Sequence, residues 1–326
     1  MNVLSLFDGI SSGRLALERA GIEVENYFSS EIDKYCIEVA QTNFPDTIQL
    51  GDVVNVKGED LPKIDLIMGG SPCQGFSIAG DRLNFQDERS RLFFEFDRLL
   101  GECDPKYFML ENVRMKPDWQ DLISSFLGVE PIEINSSHFS AQDRRRLYWS
   151  NFEIDKNFPV DNSIVEDILE DEVGIDYCID PQRGVIILEN EVKRRKIGYI
   201  GSDPQANRIY NIHGKSVSLC GEAGGLGAKT GLYAMPCLTP DRLDIRQNGR
   251  RFKPPSSKFY SLTAMDKHGV LTSNFIRKLT PVECERLQTV PDDYTACLTD
   301  NQRYRMLGNG WTVDVIAYIL EGIKDG

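Results

Sequence analysis

Apolar positions fall into short, nearly continuous runs at residues 3–7 (Val-Leu-Ser-Leu-Phe), 66–68 and 107–110, and a shorter stretch at 27–30 (Tyr-Phe-Ser-Ser) leads into Glu31. Short apolar runs bounded by turn-forming residues predict buried strands in a sheet covered on both faces. Between them, residues 12–20 and 92–100 carry helical periodicity, and Gly21 ends the first of these helices. Strand, glycine turn and helix at the amino terminus predict the opening of a nucleotide-type, Rossmann-like α/β unit. Near the other end, Thr280, Pro281 and Glu283 occupy the N-cap, N1 and N3 positions of a capped helix, and residues 307–315 open a last one.

The chemistry collects at the predicted carboxyl ends of strands, where open α/β sheets bind their ligands. The turn at residues 8–13 lacks the G-x-G-x-x-G spacing, so by itself it is a weak signal, although its glycines let a ligand approach the backbone. Glu31, about 20 residues past that turn, is placed to meet ribose hydroxyls, whereas Asp33 reads equally well as a helix N-cap. Gly69, Gly70 and Pro72 stop the third apolar run and deliver Cys73 to the strand edge. A lone cysteine there is most simply structural, since free cysteines are commonly buried. The polar stretch from Gln74 to Arg91 is too long for a tight turn, and loops of that length are usually functional or disordered. Residues 107–110 bring Glu111 to the same edge. On an extended segment Gln142, Arg144 and Arg146 share a face, so the two arginines point together toward one ligand. An isolated arginine cluster is just as readily a salt-bridged surface.

Composition changes this picture in one respect. The chain has 326 residues, is 41% hydrophobic and carries a net charge of −13, which at first argues against a nucleic-acid partner. Between Arg183 and Lys258, however, 14 basic residues face 6 acidic ones, so a basic lobe is attached to an acidic body. The expected division is an α/β domain at 1–154, a basic second lobe at 155–272 entered through the acidic stretch 153–180, and a segment at 273–326 that returns to the first domain. Within the lobe, residues 208–219 and 251–262 are similar basic and aromatic phrases joined through the glycine-rich stretch 221–231. Lys215, Arg250 and Arg251 are its candidates for phosphate contacts. No apolar run reaches the roughly 20 residues that span a bilayer, and the start lacks a basic n-region. The eight cysteines form no C-x-x-C pair and no zinc-spaced cluster. The expectation is a soluble cytoplasmic protein with reduced thiols, no membrane segment and no metal.

Pro72-Cys73-Gln74 at a strand end, then Phe76-Ser77, residues 85–94, Glu111-Asn112-Val113 and the Gln142-x-Arg144-x-Arg146 pattern follow one another in order. In this the chain resembles the cytosine-5 DNA methyltransferases over nearly its whole length, with residues 155–270 poorly matched. The resemblance implies an S-adenosyl-L-methionine-dependent methyltransferase fold with a smaller inserted target-recognition lobe, acting on double-stranded DNA in a bacterial or phage-infected cell. Phe7, Asp8 and Gly9 would hold the methionine part of the cofactor, Glu31 and Ile32 the ribose, and Asp52 and Val53 the adenine. Gly70, Pro72, Leu92, Asn309, Gly310 and Trp311 would complete the pocket, with the last helix folded back beside the first. Gln74, Ser77, Arg82, Arg89 and Gln142 would meet DNA. The wording of residues 140–149, with Trp149 and Trp311, is nearer to the animal de novo branch and to phage orphan enzymes than to typical restriction–modification members.

The implied chemistry explains the residue types. Carbon 5 of cytosine is a poor nucleophile until a thiolate adds to carbon 6, and a thiol is very nucleophilic even when slightly ionised. Cys73 is that nucleophile, Glu111 the proton donor to the ring, and Arg146, with Arg144, the cation opposite. Two alternatives are weighed against this. A transfer RNA methyltransferase of the same chemistry would be expected to lack the large basic lobe, and a catalytically silent DNA-binding regulator would have no need of Cys73, Glu111 and both arginines together.

Overall fold

The computed structural model describes residues 1–71, 88–171, 173–177, 185–187, 196–201, 207–221, 231–235 and 275–323, with backbone alone at 88–91, 175, 185–187, 197, 234–235 and 275. The first half forms β1 (Asn2–Leu6), α1 (Ser12–Arg19), β2 (Asn26–Ser30), α2 (Lys34–Asn43), β3 (Ile48–Gln49), β4 (Leu66–Gly70), α3 (Glu88–Cys103), β5 (Tyr107–Val113), α4 (Pro117–Leu127), β6 (Ile132–Asn135) and β7 (Arg145–Ser150). Its seven strands make one sheet in the order β3-β2-β1-β4-β5-β7-β6. Pairing is parallel from β3 to β5, and β7 runs antiparallel to both β5 and β6. The strand order reverses direction between β1 and β4, so their carboxyl ends open on the crevice where such sheets bind ligands.

Alternate side chains of each strand explain why the runs are apolar throughout. Val3, Met68 and Met109 face one layer, with Ala16 and Leu17 of α1; Leu4, Leu6, Ile67, Phe108 and Leu110 face the other, with Phe93, Phe96 and Leu99 of α3. Both faces are buried, so neither face of β1, β4 or β5 has a polar alternation to display. The helix expected at residues 92–100 forms the latter part of α3, and its apolar stripe is core.

The second half contributes β8 (Val185–Ile187), β9 (Lys196–Ile200), β10 (Arg208–Tyr210), β11 (Leu232–Met235) and β12 (Phe275–Lys278), followed by α5 (Pro281–Leu287), α6 (Asp300–Asn309) and α7 (Val313–Glu321). The five strands form a smaller sheet in the order β12-β11-β10-β9-β8. β12 lies in the stretch expected to have returned to the first domain, yet it pairs with β11 from Leu232↔Lys278 to Met235↔Phe275. The chain therefore leaves the second sheet only at Leu279. The N-cap and capping box expected of Thr280 and Glu283 are present in α5. α7 carries Val313, Val315, Ile316, Ile319 and Leu320 into the same apolar cluster as Ala16 and Leu17 of α1, and Arg19 of α1 pairs with Asp314 at 2.5 Å.

The acidic stretch after β7 runs along the second lobe. The Val165 and Glu166 amides donate to Gly214 O and Ile212 O, the Glu166 carboxylate lies 3.1 Å from His213 Nδ1, and Asp161 pairs with Lys215. No helix among the described residues is long and apolar enough to cross a membrane, and the described residues hold no group of three metal-ligating side chains.

Candidate active site

The turn after β1 is built from left-handed backbone. Phe7, Gly9 and Ser11 have φ of 57°, 60° and 58°, a conformation that costs a non-glycine residue of order 1–3 kcal/mol. Asp8 holds it in place: its carboxylate is 8% exposed and accepts from Tyr27 Oη at 2.7 Å, Ser11 Oγ at 2.5 Å and Ser29 Oγ at 3.0 Å. Burial raises its pKa above the ordinary carboxylate value, against the pull of these hydroxyls. Asp8, expected at the cofactor, thus points inward, and the turn's outer surface is left to Phe7 and Gly9. The Gly9 amide donates to Glu31 Oε2 at 2.8 Å, while Glu31 Oε1 accepts from the Ile32 and Asp33 amides, both at 2.8 Å. Glu31 is therefore oriented from both sides at the end of β2. Asp33 is the N-cap of α2, the alternative reading of that residue.

Around Glu31 the described residues leave an open crevice: a Cβ built on Gly9 or on Gly51 meets none of them within 4 Å, and Ile32 is 73% exposed. At the end of β3, Asp52 is exposed and caps the short helix Val53–Asn55, accepting from the Val54 amide. Val53 is buried in the core, so its backbone rather than its side chain faces this edge. Leu92 is half-buried against the same core cluster.

The second half of the site stands where β4 and β5 end side by side. Gly70 is in register with Glu111, Glu111 with Tyr148, and Val113 with Arg146. The carboxyl of Glu111, a residue 8% exposed, lies between a cation and a hydrogen-bond donor: Arg146 Nε pairs with Oε1 at 3.1 Å, and Trp311 Nε1 donates to Oε2 at 3.0 Å. Gly70 leaves room for this contact, since a Cβ there would stand 2.9 Å from both Glu111 Oε2 and Trp311 Nε1 and would wedge them apart. Tyr148 is buried beside them, and burial, with the Glu111 charge adding to it, pushes its hydroxyl well above the usual tyrosine range. Asn112 adds a contact that sequence reasoning left without a role. Its amide donates to Ser71 Oγ at 3.1 Å and fixes the last described residue of the β4 edge. Its place in the Glu-Asn-Val triplet was the available signal.

Pro72, Cys73, Gln74, Ser77, Arg82, Arg250 and Arg251 lie outside the described residues, as does the side chain of Arg89.

Arg144, just ahead of β7, and Arg146 within it do different things. Arg144, 4% exposed, donates to the carbonyls of Leu219 (2.9 Å), Gly308 (3.2 Å) and Gly310 (3.0 Å). It joins β7, the second lobe and the α6–α7 link. Burial, with Arg146 adding to it, pushes its guanidinium down to about 9, so Arg144 keeps its charge at neutral pH. Gln142 is fully buried in the same seam, donating to Leu287 O at 3.2 Å and accepting from the Leu219 amide at 3.4 Å. Lys215 Nζ donates to Ser140 O at 2.9 Å and Asp161 O at 2.8 Å. The structure thus places Gln142 and Lys215, expected at DNA, inside the junction between lobe and body. Their polar groups pair with backbone that the junction buries. Asn309 is exposed at the end of α6, and Gly310 O accepts from both Arg144 and Gln288.

The family model for C-5 cytosine-specific DNA methylases matches residues 1–325. The chain is 29% identical to the orphan methyltransferase M.SPRI of Bacillus phage SPR, over 98% of this chain and 97% of that protein. It is 28% identical to the type II methyltransferase M.HhaI of Haemophilus parahaemolyticus, over 99% and 94%. The solved structure of the Entamoeba histolytica methyltransferase EhMeth superposes with a TM-score of 0.70 at 18% identity, covering 100% of this chain and 98% of that one, which supports the fold. With a family match spanning both lobes, and Glu111 and Arg146 meeting beside the strand that leads to Cys73, the chain belongs to the C-5 cytosine-specific DNA methylase family.

Proposed function

We propose that this DNA cytosine methyltransferase takes its methyl group from S-adenosyl-L-methionine and delivers it to a cytosine flipped out of double-stranded DNA, with Cys73 bonding transiently to carbon 6. The observation that carries the reading is the Glu111 carboxyl, held between Arg146 and Trp311 beside Gly70, three residues ahead of the only thiol that follows β4 directly. The open crevice above Gly9 and Gly51, with an oriented carboxylate at Glu31 and an exposed apolar side chain at Ile32, fits the methionine, ribose and adenine parts of that cofactor. Phe7, Gly9, Glu31, Ile32 and Asp52, with the backbone of Val53, would hold it, and when bound it supplies an electrophilic methyl group.

The protein's own residues then divide the work. A base within a duplex offers neither face to a thiol, so flipping comes first, at a cost of a few kcal/mol. As the Cys73 sulfur adds to carbon 6, negative charge develops on N3 and O2 of the ring. Glu111 gives its proton to N3, and Arg146, displaced from the carboxyl, meets O2. After transfer, loss of the carbon 5 proton to a base expels the thiolate and restores aromaticity. Arg144 acts at one remove, by fixing the strand that carries Arg146.

Incubating purified protein with unmodified duplex DNA and S-adenosyl-L-methionine, followed by bisulfite mapping, should reveal 5-methylcytosine at a defined sequence. Transfer to RNA without transfer to duplex DNA would overturn the proposal. Cys73→Ser should abolish transfer while DNA and cofactor still bind. Glu111→Gln should slow single-turnover transfer by about 10²-fold or more, and unchanged turnover would remove Glu111 from the mechanism.

A further inference from the structure

Trp311 touches Glu111 from a segment that belongs to neither strand. The residues on both sides of it are pinned: Gly310 O accepts from Arg144 and Gln288, and the Thr312 hydroxyl, on a residue 2% exposed, bonds to Gln288 Oε1 at 2.8 Å and Ser136 Oγ at 2.9 Å. The indole lies over two glycines. Its Cζ3 is 3.1 Å from where a Cβ on Gly13 would stand, and its Nε1 is 2.9 Å from one on Gly70. A ring so placed has little freedom to turn. An indole N–H is a donor only, so the atom it meets is committed to accepting.

We infer that Trp311 is a positioning residue that makes the two oxygens of Glu111 unequal: Oε2 is fixed as an acceptor, and the exchangeable proton is confined to Oε1. This rests on the acid role of Glu111 and goes beyond it. In the arrangement seen here Arg146 Nε stands 3.1 Å from Oε1 as an ion pair, while Oε2 accepts the Trp311 N–H. For Glu111 to act as an acid, Arg146 must leave Oε1 and a proton must take its place. When the base arrives, the Oε1–H bond breaks and N3–H forms, leaving the carboxylate with Trp311 still on Oε2. The return of that proton after transfer restores the acid. A carboxyl free to rotate would present the wrong oxygen half the time; the indole removes that choice.

The charged and titratable groups around Glu111 are Arg146 and Arg144 on the β7 side and Tyr148 opposite it in register, with Trp311 as the uncharged donor. A hydrogen bond to the ionised form of an acid favours ionisation. Removing the N–H while keeping an aromatic ring, as in W311F, should therefore lower the single-turnover rate about twofold or more and move the high-pH limb of rate against pH upward. Affinity for S-adenosyl-L-methionine should stay within about threefold, since the ring remains.

The decisive measurement is the cycle of wild type, W311F, E111Q and the double variant. If the indole acts through Glu111, adding W311F to E111Q costs no further rate. Independent, multiplying losses would overturn the inference, as would a W311F enzyme whose rate and pH profile match wild type, or one in which only cofactor affinity falls. An E111Q enzyme of full activity would instead overturn the acid role itself, so the two failures are distinguishable. Should W311F not fold, G70A serves in its place. Its added Cβ wedges the same contact at 2.9 Å from both partners, and it should shift the pH limb in the same direction; an unshifted limb counts against the inference.

Discussion

Replacing Glu283 by glutamine changes one atom in the joint between the second sheet and α5, and it should be among the most costly substitutions in the molecule. Arg277 and Glu283 are 1% and 0% exposed. Glu283 Oε2 accepts from Arg277 Nη1 at 2.7 Å and from the Thr280 amide at 2.8 Å; Oε1 accepts from Arg277 Nη2 at 2.5 Å and from the Glu170 amide at 2.9 Å. Each oxygen thus takes one guanidinium N–H and one backbone N–H, which fills the four acceptor positions of a carboxylate. Whichever way a glutamine amide is turned, its NH2 faces two donors, and the guanidinium loses its counter-charge in a place water does not reach. Breaking a buried pair from one side costs about 3–5 kcal/mol. Urea unfolding followed by tryptophan fluorescence should show that loss for E283Q and a comparable one for R277M. The double variant should be more stable than the sum of the two losses predicts, by about 2–3 kcal/mol, because the second change removes a charge already stranded by the first. An E283Q protein within about 1 kcal/mol of wild type, or additive losses, would show that the pair is not the sealed joint described here.

Two further substitutions test the junction between lobe and body. A Cβ at Gly308 would lie 2.5 Å from the Cys220 carbonyl carbon and oxygen and 2.6 Å from the Gly221 nitrogen, all backbone atoms that cannot rotate away. G308A should destabilise by about 1–3 kcal/mol and speed amide exchange at 216–221, whereas G101A, in a helix with nothing within 4 Å, should be neutral or stabilising by up to about 1 kcal/mol; equal effects would refute the close crossing. Asp161 has its pKa held below the ordinary value, burial opposing and Ser163 and Lys215 prevailing. Its contribution is therefore present above the unfolded-state value near pH 4 and lost as pH falls through the lower folded-state value. D161N should be less stable than wild type by about 0.5–1 kcal/mol at neutral pH and equal to it in strong acid, and a gap that persists in acid would contradict the assignment.

The chain's apolar runs were enough to predict β1, β2, β4 and β5 and to place Glu31, Gly70 and Glu111 at their carboxyl ends, because a strand buried on both faces writes itself as an uninterrupted stretch. The capped start of α5 was equally legible, since Thr280, Pro281 and Glu283 bond within a single turn. Local rules of this kind need no knowledge of distant residues. What the tertiary structure alone decided is which polar groups spend themselves on the fold. Asp8 turns inward onto Tyr27 and Ser29, Gln142 and Lys215 disappear into the seam, and Arg144 is consumed by carbonyls of Leu219, Gly308 and Gly310, while Arg146, two positions on, keeps its head at Glu111. Their residue types are the same in either role, and only the approach of chain 19 to 200 positions away determines whether a side chain is surrounded by polar partners or left facing the crevice. The meeting of Trp311 with Glu111 belongs to the same category, since a hydrogen bond between strand β5 and the α6–α7 link, 200 positions apart, exists only once that link has packed against the strand ends.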